Sequence, residues 1–473
     1  MPRSAESWTL TRWVFLRLLA LVFLSAFLSL RVQMDALIGG GGLAPAAQTL
    51  ATAHSRLHSW AFVKYPTLAW ISASDGALRV FCDAGIALSV VLLLGAAEAP
   101  VVLALWALWL SFTTIGGFAL DWACDQLLLE TAFFAIFLSP FGREARGRAP
   151  ARWAVFLMQL LLFRFVLMCG LSKILAELSV DTGSLRVVDD PSWLDLSALR
   201  YHLETQPLPG PLSWYANLLP AWTKQLATAT VLVVELVVPF LVLMRGFPRR
   251  ASFIPLVVLQ LGIMAAGNYA WFNWLTVVLA VFTLDDAVWR RVLPAALQRR
   301  VPSPPSEAAR GAPLLARPLG IGFAALAAVH SITPVYGAFP VVAKERREVV
   351  LEGSSDGVTW TPYEFRWKPG RIDRAPGYCA PHQPRVDWAL TEVAYEPGHS
   401  RRWFRRLIER LLEGSPAVVG LLDGNPFPTA PPRMIRSVVF RYRYTTPEER
   451  AQTGAWWHRD LIGVHLEPVE RRG

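Results

Sequence analysis

Cysteine is scarce in this chain: four in 473 residues, at positions 82, 124, 169 and 379. Three of them fall inside apolar segments, leaving Cys379 alone in the more polar carboxyl-terminal part. No disulfide within that part and no cysteine-based zinc site can be built there. Charge is scarce as well. Asp, Glu, Lys and Arg make up 17% of the residues, against about a quarter in an ordinary soluble domain. With 53% hydrophobic residues, intrinsic disorder, collagen-like and disulfide-scaffold classes are excluded. No internal repeat is visible. The opening MPRSAESWTLTRW lacks a small-residue cleavage pattern before the first apolar run, so an uncleaved first span is expected.

What is present is unevenly distributed. From Val341 onward 29% of residues are charged, while the first 340 residues reach only 13%. The chain therefore reads as a polytopic helical membrane domain, 1–340, followed by a water-soluble domain, 341–473. A net charge of +10 is of the sign that favours nucleic acid. The Arg residues sit mostly between apolar runs, however, which is a topology signal, and no nucleic-acid partner is expected.

A bilayer core of about 30 Å needs about 20 apolar residues in a helix. Nine candidate spans meet or approach this: 13–30, 80–97, 100–118, 122–138, 153–175, 222–244, two short ones at 253–266 and 271–284, and 318–336. Arg143, Arg146, Arg148 and Arg152 crowd one loop; Arg245, Arg249 and Arg250 fill another; Arg290, Arg291, Arg299, Arg300, Arg310 and Arg317 fill a third. Nine spans put all three loops on the cytoplasmic side with the amino terminus, as the positive-inside rule requires. The long loops 31–79 and 176–221 and the terminal domain then lie outside, and 301–317 is a cytoplasmic linker.

The terminal domain reads as mainly β. Arg347–Leu351 and Val358–Arg366 flank a Gly353-Ser354-Ser355-Asp356-Gly357 turn, and SVVFRYRY (437–444) alternates as a half-buried strand should. RRWFRRLIERLLE (401–413) carries apolar residues at helical spacing. A β-sandwich-like module with one inserted amphipathic helix is expected. The turn satisfies G-x-S-x-G, but strand residues follow it where a nucleophile elbow demands a helix.

Several constellations carry chemistry or recognition. Arg164 and Lys173 are ionisable groups inside the fifth span, functional suspects by default because burial without a partner is costly. Arg164 has Asp121, Asp125 or Glu130 within reach as ion-pair partners, and Glu235 in the sixth span is a further one. His202 and Glu204 precede a Pro-rich stretch bearing Trp214 and Tyr215, which suit a membrane interface. Lys173, Arg164, His202, Glu204 and Glu235 are the catalytic candidates if the membrane domain is an enzyme. Gly267-Asn268-Tyr269-Ala270 breaks the backbone between two short apolar segments. Trp214, Tyr215, His382, Arg385, Asp387 and Trp388, with Phe427, Trp456 and Trp457, are candidates for client binding, since Trp and Arg are enriched where peptides dock. No metal or cofactor set is expected.

HLETQPLPGPLSWYANLLP (202–220), GNYAWFNWLT (267–276), VLEGSSDGVTWTPYEFRWKPG (350–370), APHQPRVDW (380–388), LLEG (411–414), NPFP (425–428), PPRMIR (431–436) and WWHRD (456–460) occur in that order. In these strings the chain resembles the lipase maturation factor family, from about residue 8 to 469, in the Ala/Arg-rich style of a bacterial member. The resemblance implies a non-enzymatic, membrane-anchored folding factor that binds exported clients such as lipases. In eukaryotic relatives it implies the endoplasmic reticulum membrane; in a bacterium, the inner membrane with a periplasmic terminal domain. The membrane part is distantly similar to the vitamin K-dependent carboxylase type of helical domain. That likeness implies the alternative, an integral-membrane enzyme acting on a lipid, quinone or exported protein.

The topology is directly testable. Alkaline phosphatase fused after Gly473 is expected to be active, and a cytoplasm-dependent reporter is expected to be active after Arg148. The reverse result at Gly473 would overturn the span count.

Overall fold

The computed structural model describes residues 7–142, 144–181, 184–301, 336–395 and 402–471. Its amino-terminal part is a helical bundle. In chain order the principal helices are α1 (Thr9–Arg31), α2 (Ala46–Leu57), α3 (Asp75–Leu94), α4 (Glu98–Ile115), α5 (Ala123–Leu138) and α6 (Arg152–Ala176). They continue with α7 (Ala198–Thr205), α8 (Ala221–Val242), α9 (Phe247–Ala266), α10 (Phe272–Ala280) and α11 (Asp286–Val292). Local chemistry sets the boundaries. Ser74 Oγ accepts the Ala77 amide at the start of α3, and Gly95, at φ 83°, ends it in a left-handed cap that most residues would strain to adopt. α8 breaks at Val237, just before Pro239, which cannot donate to the preceding turn.

Among the described residues, six helices are long and apolar enough to cross a bilayer: α1, α3, α4, α6, α8 and α9. A seventh arises if α10, extended to Thr283, and α11, bent by 111°, count as one span. The nine expected spans are not reached among the described residues. The 122–138 segment is the 16-residue α5, short of the usual length. The segment expected to begin at 253 gains a turn from Phe247 and becomes a 20-residue helix. The 301–317 linker and the 318–336 span lie outside the described residues, except for Val301 and Tyr336.

The Arg-rich loops share one end of the bundle. Arg17 pairs with Glu98 at 2.7 Å, Arg146 reaches the same carboxylate, and Arg12 donates to the Arg146 carbonyl. Arg249 and Arg250 converge on Asp285, and Asp286 accepts from Ser7, Thr9 and Thr11. At the opposite end lie the 177–217 segment, the Gly267–Trp271 hinge and the carboxyl-terminal region. A small antiparallel hairpin, β1 (Leu178–Asp181) and β2 (Ser184–Val187), opens that segment.

The carboxyl-terminal region holds one four-stranded antiparallel sheet in the order β4-β3-β5-β6, formed by β3 (Arg346–Ser354), β4 (Thr361–Pro362), β5 (Met434–Tyr444) and β6 (Trp457–Glu470). Central β3 is buried along nearly its whole length, with Val349 opposite Val439 of β5. The expected sandwich is not what forms. Where a second sheet was anticipated, the described residues supply α12 (Arg385–Val393) and α13 (Arg402–Leu412). The segment read as an inserted amphipathic helix is α13, burying Trp403, Phe404, Leu407, Ile408, Leu411 and Leu412 on one face. The expected turn also forms: Asp356 Oδ1 accepts the Val358 and Thr359 amides, and no helix follows.

Helices and sheet share one continuous apolar core, and a buried ion pair runs across it. Arg385, at the start of α12, meets Asp125 of α5 through two contacts of 2.5 and 2.8 Å, both side chains fully buried. Removing one member of such a pair leaves an uncompensated charge, at a cost of about 3–5 kcal/mol. Asp125→Ala and Arg385→Ala are each expected to lose about that much stability. The double variant Asp125→Leu/Arg385→Met should recover most of it, read by thermal unfolding in detergent.

Candidate functional site

Two concave sites open near the sheet-bearing end. The first is a cavity of about 90 Å³ enclosed by α6, α7, α8, α9 and α10. Lys173 of α6 is buried there, its Nζ donating to Glu235 Oε2 of α8 at 2.7 Å and to the Cys169 carbonyl at 3.0 Å, with the Trp193 ring 5.1 Å away. His202 of α7 contributes an imidazole 3.0 Å from the Tyr269 hydroxyl. That hydroxyl donates to Gln206 Oε1, while Gln206 Nε2 is spent on the Leu203 and Ala266 carbonyls. Asn273 of α10 donates to Gln260 Oε1 of α9. A second chamber of about 370 Å³ adjoins the first, sharing His202, Tyr269, Phe272, Ala338 and Phe339 as walls.

Of the five residues proposed for chemistry, three meet at this cavity: Lys173, Glu235 and His202. Arg164 does not line it; it pairs with Glu130, whose Oε2 also accepts from the Tyr336 hydroxyl, and so braces α5 against α6. Glu204 points elsewhere and accepts the Tyr444 amide of β5 at 2.9 Å. The Gly267–Ala270 break lines the cavity through Tyr269 and is pinned by Asn268, whose Oδ1 accepts the Cys379 and Ala380 amides.

The second site is a groove of about 840 Å³ between α2 and α13. Its floor is apolar, with Phe118 stacked on Trp403 at 4.7 Å. Its rim carries Arg56, Lys64, Arg402, Arg405 and Arg406 against one carboxylate, Glu409. Beside it, in loop 31–79, Trp60, Phe62, Val63 and Ile71 are exposed. Sequence reading did not single out this groove. The available signal was the pairing of an Arg-rich amphipathic helix with an aromatic outer loop, two segments about 340 residues apart.

Most residues read as an exposed client surface are structural. Arg385 and Asp387 are buried, Asp387 accepting the Trp367 and Lys368 amides. Trp214 is buried and donates to the Thr445 carbonyl; Trp457 is buried and stacks on Tyr444 at 4.3 Å. Trp388 and Phe427 are half-buried against Trp122 and Tyr363. Trp456 lies under the Arg450 guanidinium, and His382 bonds Ser29. Tyr215 alone in this group is largely exposed. The physical reason is twofold: Arg385, Trp388, His382 and Trp214 form the seam between the carboxyl-terminal region and the bundle, while Asp387, Phe427, Trp456 and Trp457 pack within the carboxyl-terminal region itself.

These features define a class, a membrane-type helical bundle with a sheet docked on one end. The profile of the lipase maturation factor transmembrane domain matches residues 10–291, and that of the lipase maturation factor C-terminal domain matches 332–467. Lipase maturation factor 1 of Mus musculus is 31% identical over 97% of this chain and 87% of its own length. Lipase maturation factor 1 of Homo sapiens is 30% identical over 97% and 88%, and lipase maturation factor 2 of Homo sapiens is 28% identical over 96% and 82%. No solved structure matches. The chain belongs to the lipase maturation factor family, a family of maturation factors and not of enzymes.

Burial, with Lys173 nearby, pushes His202 down to about 4, and burial beside Arg385 and Arg366 does the same to His382. Both titrate near 6.5 when exposed. A depressed histidine contributes stability that is complete above about 6.5 and is lost as pH falls toward about 4. Between pH 7 and pH 5 the melting temperature is expected to fall, and His202→Gln should shrink that fall. An unchanged pH dependence in the variant would refute the assignment.

Proposed function

We propose that this protein is a membrane-anchored maturation factor for exported client proteins, lipases among them, and that the α2–α13 groove is where clients are held. Family membership supports the maturation role, and the groove is the observation that carries the binding role. A partly folded client exposes apolar segments, and an apolar floor with five cations and one carboxylate on its rim selects those flanked by acidic residues. Trp60 and Phe62 beside the groove extend that surface, and the exposed Tyr215 is a further transient contact.

The placement we favour is the bacterial inner membrane, with the amino terminus cytoplasmic and the sheet periplasmic. It is supported by the gathering of Arg12, Arg17, Arg146, Arg249 and Arg250 at one end of the bundle and of the sheet at the other. Under this reading residues 1–340 anchor the protein and residues 341–473 work on the folding side. The nine-span count belongs to the same proposal. The enzymatic alternative is set aside because the Lys173 amine is committed to Glu235, a carbonyl and an indole face.

The test is complementation of a deletion strain. Arg402→Glu/Arg405→Glu/Arg406→Glu is expected to accumulate in the membrane normally. The secreted lipase it supports should drop in activity per unit antigen to the level of the deletion. Full specific activity with the charge-reversed groove would sink the proposal.

A further inference from the structure

The Lys173 cavity has unused hydrogen-bonding capacity, and its sign is legible. Among the described residues the Lys173 ammonium meets acceptors and a ring: Glu235 Oε2, the Cys169 carbonyl and the Trp193 face. The surplus lies with acceptors. Gln206 Nε2 is fixed by two carbonyls, so its oxygen must accept the Tyr269 proton. The Tyr269 oxygen then accepts from His202 Nε2, which carries the ring proton. Since His202 is neutral at ordinary pH, Nδ1 is left as a bare acceptor with no partner among the described residues. Glu235 Oε1 likewise has no hydrogen bond to a described residue. Asn273, only 2% exposed, lines the same cavity with an Oδ1 that none of the described residues satisfies. A buried polar atom such as Asn273 Oδ1 is rarely left so.

The walls around these acceptors are apolar: Phe165, Val166, Val231, Ile263, Phe272 and Phe339. The adjoining 370 Å³ chamber continues that character through Trp122 and Trp388. A volume of about 90 Å³ is that of about three waters in the liquid, room for a small polar head and not for a chain.

We propose that this double cavity binds a neutral amphiphile whose head group carries hydroxyl donors, a monoacylglycerol-like lipid, with the head between Lys173, Glu235, His202 and Asn273 and the chain in the larger chamber. Anionic heads are disfavoured because they bring further acceptors to a site already rich in them. Neutral lipids without a hydroxyl leave all three acceptors unsatisfied.

The experiment uses the full chain, purified in detergent, with tritiated 1-monooleoylglycerol as the probe and methyl oleate and oleate as competitors. Saturable binding is expected, with methyl oleate and oleate competing at least about tenfold more weakly, the worth of one buried hydrogen bond to an unsatisfied acceptor. Asn273→Leu removes one acceptor at similar volume and is expected to weaken the probe about tenfold while leaving methyl oleate unchanged. Should that variant fail to fold, Val231→Trp fills the cavity from α8 and is expected to abolish binding. Equal competition by methyl oleate, absence of saturable binding, unaltered affinity in Asn273→Leu or retained binding in Val231→Trp would each overturn the proposal.

Discussion

A charge buried on one segment must find its opposite on another, and in this protein that requirement joins membrane bundle to sheet. Asp125 sits at the start of α5 and Arg385 at the start of α12, 260 residues later. Each alone would be prohibitively desolvated; together they satisfy one another in two parallel hydrogen bonds. The surrounding polar groups follow suit. Gln33 Oε1 accepts the Arg385 amide while its Nε2 donates to the Gln383 carbonyl, and Ser29 Oγ accepts the Gln383 amide. The end of α1, the start of α5 and the approach to α12 are thereby held in one register, and α12 in turn packs against β3.

A second seam is built on the same principle. The Pro-rich 206–211 stretch that follows α7 cannot continue the helix, so its carbonyls and those at the end of α7 need donors from elsewhere. Arg346 of β3 supplies them, donating to the carbonyls of Glu204, Gln206 and Pro207 while pairing with the buried Glu348. Ser213 and Trp214 complete the contact at Tyr444 and Thr445. A loop that reads as a recognition element is in this way spent on docking the sheet, and with the sheet docked, α2 and α13 face one another across the groove.

The sequence made the helical bundle readable because hydrophobic runs and Arg-rich loops are local signals. α1, α3, α4, α6 and α8 fall where the runs put them, and α13 follows from its apolar spacing. What was not readable depended on partners distant in the chain. Nothing local tells that Arg385 is buried, since an Arg beside Pro, His and Trp has the composition of an exposed recognition patch. Helix α12 was missed for a related reason: Arg385–Val393 carries charged residues on faces that solvent would normally meet, and here they meet Asp125 and the Trp367–Lys368 backbone. The sandwich expectation failed because alternation identifies a half-buried strand without revealing whether a sheet or a helix covers it.

The two ionic pairs of α6 show how a structural charge and a site differ. Arg164 and Lys173 looked alike in sequence, each a lone cation in a long apolar helix. Arg164 is packed beneath the Tyr336 ring and tied to Glu130, whose carboxylate a second donor also claims. Lys173 is equally well paired, yet its surroundings are not closed, because α7 and the Gly267–Ala270 break bring His202, Tyr269 and Asn273 to one small volume. A broken helix at membrane depth is tolerated only where protein or a cavity satisfies its backbone. Here the Asn268 amide donates to the Leu208 carbonyl and the Asn268 side chain ties the break to Gly377 and Cys379, while on the other side the break presents a tyrosine to the cavity. The feature that distinguishes the Lys173 pair is therefore the hinge beside it, which converts a buried ion pair into one wall of a space with unspent acceptors.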